Sequence, residues 1–331
     1  MCRPFSVGMN IVVLDAGTLA LDDAVWSALG KLGDVQLYVS TSSDAETIIQ
    51  RIREAEVVFT NKVPLSAEVL EAAVSLKFIG VLATGYNVVD VAAAERLGQT
   101  LCNVPAYGVA TTAQHAVALI LELCNHVGQH SASVHVGDWV RSELFSYWKQ
   151  APRELAAMTI GIVGFGTIGR RVAAAVNAMG ARVLASARTE RDTPDYDGFE
   201  WASNDVIFER ADLVSLHCPE TSQTSGFVNA ALLATMKRGA LLVNAARGGL
   251  VCEVSLEAAL RSGALGGAAV DVLCNEPMAA DCPLLGAPNC FITPHIAWAS
   301  EPARRRLFDT SVDNLQRFIA GHPVNVVQNN T

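Results

Sequence analysis

The sequence predicts an α/β protein of two domains built on parallel sheets, and three observations carry that expectation. Short β-branched apolar runs alternate with helical patterns from Asn10 onward. A strand, a Gly-x-Gly-x-x-Gly turn and a helix follow one another between residues 159 and 179. The 331 residues are 51% hydrophobic and 17% charged, enough apolar material for two buried cores.

Taken in order, residues 10–14 read as a strand and residues 22–31 as a helix, with Asp22 placed to cap it. Further strands are expected at 35–39, 57–59 and 78–82, with helices near 45–53 and 66–73 between them. Residues 111–127 form a longer helical pattern free of Gly and Pro. The stretch 128–150, which holds Trp139, Tyr147 and Trp148, has weak periodicity and reads as an extended arm or loop. A second alternating region supplies strands at 159–163, 182–185, 213–216, 240–243 and 268–272, and a last helix is expected over 302–319.

Composition narrows the function classes. A formal net charge of -9 disfavours nucleic acid and anionic membranes as partners. No apolar run approaches the roughly 18 residues a membrane span requires, and residues 1–10 lack a signal-peptide pattern. The 8 cysteines include no Cys-x-x-Cys pair, so neither a disulfide scaffold nor a metal site is expected. Cys102, Cys124 and Cys290 sit in apolar runs, where they pack as small hydrophobes, and the expected compartment is the reducing cytoplasm.

The glycine turn is the first motif with chemistry. Gly164 allows a tight turn, Gly166 lets the backbone approach a pyrophosphate, and Gly169 lets helix and strand pack closely. The helix N-terminus supplies N–H donors and a positive dipole end, which favours a dinucleotide. An acid at the end of the next strand would select NAD by bonding the ribose hydroxyls. Here the chain reads Ser186-Ala187-Arg188-Thr189, with a cation and two hydroxyls instead. That set suits a 2′-phosphate and hence NADP, although an exposed Arg can also be merely solvated.

Three further segments follow strands in the second half: Asn244-Ala245-Ala246-Arg247-Gly248, Asp271-Val272-Leu273-Cys274-Asn275-Glu276-Pro277 and Thr293-Pro294-His295. In open parallel sheets ligands bind at the carboxyl ends of strands, so Arg247, Glu276 and His295 are expected on the edge that carries the glycine loop. Arg247 can bind a carboxylate or polarise a carbonyl with paired donors. His295 can give a proton to a carbonyl oxygen, and Glu276 can fix its tautomer through the other ring nitrogen. Singly, each has an ordinary reading as a surface ion pair, a loop acid or a core histidine; convergence on one edge favours catalysis.

With those motifs in view, the chain resembles the D-isomer-specific 2-hydroxyacid dehydrogenases over nearly its whole length. The resemblance implies Arg247, Glu276 and His295 as the catalytic set, with Arg247 and His295 also meeting the substrate. It implies a Rossmann-type nucleotide domain, residues 103–298, inserted in a smaller flavodoxin-like α/β substrate domain, residues 1–102 and 299–331. Thr84-Gly85-Tyr86-Asn87, Asn103-Val104-Pro105, Ser146-Tyr147-Trp148 and His295-Ile296-Ala297-Trp298 look most like glycerate dehydrogenases, also called hydroxypyruvate reductases. In such enzymes the backbone at Thr84 and Gly85 holds the substrate carboxylate. The cofactor set expected here is Gly164, Gly166, Thr167, Ile168, Gly169, Ser186, Arg188, Thr189, Cys218, Pro219, Thr224, Ala245 and Asp271, the last meeting the nicotinamide carboxamide. An arm over about residues 125–150 would reach the partner subunit of a homodimer. Cys252 stands where many members have an acid, and Trp298 replaces a small residue, either narrowing the pocket or packing at the hinge. Two rival readings stay open: another 2-oxo acid such as pyruvate as substrate, and a dinucleotide-sensing, corepressor-like binding protein.

Overall fold

The computed structural model describes residues 8–328. The chain first lays down β1 (Asn10–Val13), α1 (Asp23–Gly30), β2 (Asp34–Leu37), α2 (Ala45–Ile52), β3 (Val57–Thr60), α3 (Ala67–Ala72), β4 (Phe78–Val81), α4 (Val91–Arg96) and β5 (Thr100–Cys102). These strands pair in parallel in the order β2-β1-β3-β4-β5, the flavodoxin-like arrangement. β3 and β4 are buried along their whole length because both faces of the sheet are covered, which is why they read as unbroken apolar runs. Asp44, Ser66 and Asp90 cap α2, α3 and α4 through their side chains. The cap expected from Asp22 is not made, since its side chain takes no bond from the start of α1.

Next come α5 (Val109–Asn125) and α6 (Val127–His135), separated by His126 in the left-handed region at φ 51°. The expected arm therefore starts as a helix, whose Gly128 N–H donates to the Glu122 carboxylate at 3.1 Å. After α6 the chain turns back on itself. Asp138 pairs with Arg141 at 2.7 Å and Lys149 at 2.6 Å, and Trp139 Nε1 donates to Phe145 O at 3.0 Å.

The larger sheet follows: β6 (Thr159–Val163), α7 (Thr167–Ala178), β7 (Arg182–Ser186), β8 (Phe199–Trp201), α8 (Asn204–Arg210), β9 (Leu213–Leu216), α9 (Ala230–Thr235), β10 (Ala240–Asn244), α10 (Glu253–Arg261), β11 (Leu265–Val270) and β12 (Cys290–Ile292). Its 7 parallel strands run β12-β11-β10-β9-β6-β7-β8. The chain winds outward one way from β6 and the other way from β9, so the topological switch point lies between those two strands. Alternate residues of each strand feed two cores. Ile160, Val183 and Val243 pack with Ile120 of α5 and Val176 of α7; Leu184, Val214 and Leu242 pack with Phe208, Leu233 and Leu256 of α8, α9 and α10. Each such buried side chain contributes about 1.5–3 kcal/mol relative to exposure.

The last helix, α11 (Glu301–Ile319), returns to the first sheet, where Phe308 meets Trp26 and Phe318 meets Phe78, both with ring centroids 5.1 Å apart. The chain thus forms two compact units, one up to Gly108 and again from Ala299, the other Val109–Trp298. The first crossing falls after Gly108 rather than after residue 102. Asn103 O and Tyr107 O accept bonds from Asn314 and Arg306 of α11, which ties the intervening residues to the first unit. Cys102 and Cys124 are buried and Cys290 half-buried; burial pushes their thiols up to about 12, 11 and 12. No helix among the described residues is long and apolar enough to cross a membrane. No group of three or more His, Cys, Asp or Glu among them could hold a metal ion.

Candidate active site

The glycine loop leaves β6 at the switch point. Gly164 has φ 98°, and a Cβ there would stand 2.5 Å from Cys218 N, so the loop after β6 presses against the loop after β9. That contact places Cys218 beside the glycine loop, with Pro219 next in the chain. A Cβ on Gly169 would run into Gly164 O, so only glycine lets α7 start this close to β6. Gly166 is the N-cap of α7 and caps it with no side chain, and a Cβ at Gly166 would meet nothing within 4 Å. Open space before the uncapped amides of Thr167 and Ile168 fits a dinucleotide pyrophosphate. Thr224, farther along the β9 loop, spends its hydroxyl on Pro219 O at 2.8 Å.

At the end of β7, Arg188 is exposed and its guanidinium has no hydrogen bond or ion pair to any described residue. Thr189 beside it is also exposed. Ser186 requires a correction. Its hydroxyl donates to Asn204 Oδ1 at 2.6 Å, so it is not a free donor for a phosphate. Asn204 lies 18 residues on, at the start of α8, and no local pattern links the two positions.

The three catalytic candidates sit at the carboxyl ends of the adjacent strands β10, β11 and β12. Asn244 ends β10 in the core, followed by buried Ala245; Asn244 Nδ2 donates to Arg247 O at 2.8 Å while its Oδ1 accepts from Ala246 N at 3.1 Å. This amide shapes the turn that leaves the Arg247 side chain exposed. A Cβ on Gly248 would run into the Leu273 backbone, so the Arg247 turn lies directly against the loop that carries Glu276. Glu276 accepts from Leu273 N through Oε1 at 3.0 Å, and from His295 Nδ1 through Oε2 at 2.6 Å. A carboxylate can only accept, so Nδ1 carries the hydrogen and Nε2 is the atom available to a substrate.

His295 itself is left-handed, at φ 53°. Asp271 supports that backbone. Asp271 is 1% exposed, and its peptide O accepts from His295 N at 2.8 Å. Its carboxylate accepts from Thr293 Oγ1 at 2.6 Å, Ile296 N at 2.9 Å and Ala297 N at 2.8 Å. Burial pushes the Asp271 carboxyl up, but bonds from His115, Thr293 and the two amides outweigh it and hold the group below the usual carboxylate range. The resemblance implies that Asp271 meets the nicotinamide; in the structure its carboxylate latches the His295 loop. His115 of α5, which sequence reasoning missed, meets that latch through Nε2, 3.0 Å from Thr293 Oγ1 and 3.3 Å from Asp271 Oδ1.

Thr84 and Gly85 belong to the other unit, in the loop after β4. Thr84 Oγ1 donates to Val104 O at 2.8 Å, and Thr84 O accepts from Asn103 Nδ2 at 2.7 Å. The Thr84 hydroxyl and carbonyl thus brace this loop against residues 103–104.

Comparison with known proteins identifies the family. The family profile described as D-isomer specific 2-hydroxyacid dehydrogenase, NAD binding domain, matches residues 117–297. The hydroxypyruvate reductase of Blautia hydrogenotrophica is 42% identical over 320 residues, covering 96% of this chain and 99% of the relative. The glycerate dehydrogenase of Methylorubrum extorquens is 40% identical over 321 residues, with coverage of 96% and 99%. Among solved structures, the NADPH-dependent glyoxylate/hydroxypyruvate reductase of Sinorhizobium meliloti, in complex with NADP and malonate, superposes with a TM-score of 0.83 at 28% identity, covering 96% of each chain.

Proposed function

The chain belongs to the D-isomer specific 2-hydroxyacid dehydrogenases, and from that premise we propose that it reduces hydroxypyruvate to D-glycerate and, more slowly, glyoxylate to glycolate. The observation that carries this reading is the 2.6 Å bond from His295 Nδ1 to Glu276, on a loop packed against that of Arg247. The substrate assignment draws on the names of the two relatives at 42% and 40% identity.

The roles follow from the chemistry of each group. Arg247 binds the substrate carboxylate and polarises the C2 carbonyl with its planar donors. A bound NAD(P)H supplies the hydride that C2 receives. His295 Nε2 delivers the proton to the carbonyl oxygen as charge develops there, and Glu276 stabilises the imidazolium before transfer and keeps the ring oriented after it. Gly164, Gly166 and Gly169, with the first amides of α7, hold the cofactor's pyrophosphate.

Kinetics with a panel of 2-oxo acids test the substrate. Hydroxypyruvate is expected to show the highest kcat/KM, with glyoxylate second; a higher value for pyruvate or a branched 2-oxo acid contradicts the assignment. Absence of nicotinamide oxidation with every acid in the panel would favour a dinucleotide-sensing role instead.

NADPH is the proposed preferred cofactor and NADH the alternative. Ala187 stands where an acid would repel a 2′-phosphate, and Arg188 beside it is exposed and unpaired among the described residues. A hydrogen bond to a charged group contributes about 1.5–3 kcal/mol, so Arg188→Ala should raise the KM for NADPH roughly ten- to a hundredfold. The KM for NADH should move little. Equal losses with both cofactors, or a wild type that favours NADH, would overturn the preference.

A homodimer in the cytoplasm completes the proposal. Val140 is 89% and Phe145 91% exposed, with Trp139 and Trp148 nearby in the segment after α6, an apolar surface suited to burial against a second copy.

A further inference from the structure

Arg170 is the first residue after the third glycine of the loop, and none of the roles above uses it. Its guanidinium lies 4.6 Å from the centroid of Phe165, over the ring face. From there it donates through Nη1 to Asp192 O at 2.7 Å and through Nη2 to Arg191 O at 2.5 Å. The two carbonyls belong to consecutive residues of the loop that leaves β7, and Asp192 is left-handed at φ 46°. A planar fork can hold two such acceptors at once, which a lysine ammonium does far less well. Phe165 is itself fixed, with ring centroids 5.1 Å from both Phe199 and Trp201. Farther along the same loop, Trp201 Nε1 donates to Thr193 Oγ1 at 2.9 Å. The loop from Arg188 to Thr193 is thereby anchored on α7 and on an aromatic cluster, while Arg188 at its start carries no bond of its own to a described residue.

We propose that Arg170 is a positioning residue for cofactor selection: by clamping the carbonyls of Arg191 and Asp192 it fixes the path of the loop that presents Arg188 to a 2′-phosphate. The proposal rests on the reading of Arg188 as the phosphate ligand. It adds that selectivity depends on a cation that does not touch the phosphate.

Calorimetric titration of the whole protein with 2′,5′-ADP and with ADP tests this without turnover. Arg170→Gln removes the fork and should weaken 2′,5′-ADP by about three- to tenfold, a part of the loss that removing Arg188 itself causes because the Arg188–phosphate bond is loosened and not deleted, with ADP within about twofold of wild type. Arg170→Lys, which keeps the charge and one donor direction, should fall between, and is read by the same criteria if Arg170→Gln does not fold. In an Arg188→Ala background, Arg170→Gln should cause no further loss, because its effect passes through Arg188. Equal weakening of both ligands, or no weakening of either, overturns the proposal. A loss that persists undiminished without Arg188 also overturns it, since Arg170 would then bind the phosphate directly. If Arg188→Ala alone leaves 2′,5′-ADP binding unchanged, the phosphate reading itself fails and takes the proposal with it.

Discussion

His295→Ala should lower kcat for hydroxypyruvate about 100- to 10,000-fold, the usual contribution of a positioned general acid, while the Kd for NADPH stays near the wild-type value. The reduced carbonyl becomes an alkoxide unless a proton arrives with the hydride. Among the three groups at the ends of β10, β11 and β12, the His295 imidazole is the one placed to act as general acid through its free ring nitrogen. Arg247 serves as a donor to the substrate carboxylate, and Glu276 is committed to Leu273 N and His295 Nδ1. Because Asp271 binds the backbone of residues 295–297 rather than the imidazole, the loop should keep its path in the variant, and loss of rate should not reflect loss of fold. Single-turnover rates and NADPH titration separate the two effects. A variant with near wild-type kcat would remove His295 from the mechanism.

Arg247→Ala has the second large effect, seen in kcat/KM more than in cofactor binding. Two charge-assisted bonds to the substrate, each worth about 1.5–3 kcal/mol, correspond to a loss of roughly 100- to 10,000-fold. Arg247→Lys should recover only part of it, because a point charge does not reproduce the paired, planar donors. The turn itself is set by Asn244 and Gly248, neither of which depends on the Arg247 side chain, so both variants should melt close to wild type. Full activity in Arg247→Ala would mean that the carboxylate is held elsewhere.

The fold was legible wherever burial on both faces wrote a mainly apolar run, as in β3, β4, β9 and β10. Reading failed where an element is short or half-exposed. β8 is a three-residue edge strand, Phe199–Trp201, and its pattern cannot be told from a loop. α6 leaves Val127 and Val134 exposed, so its apolar residues mark no buried face and its periodicity is weak. The site divides in the same way. Gly164–Gly169, Arg247, Glu276 and His295 could be placed on one sheet edge because each follows a recognisable strand. The Ser186–Asn204 bond, the Arg170 fork and the His115 contact with the Asp271 latch join residues from separate elements, and no spacing rule encodes them.

The most direct test of the central claim is the identity of the product. Purified protein supplied with NADPH and hydroxypyruvate should form D-glycerate, one molecule per nicotinamide oxidised, as resolved by chiral chromatography. Formation of L-glycerate, or a racemate, would contradict the account, as would nicotinamide oxidation without glycerate.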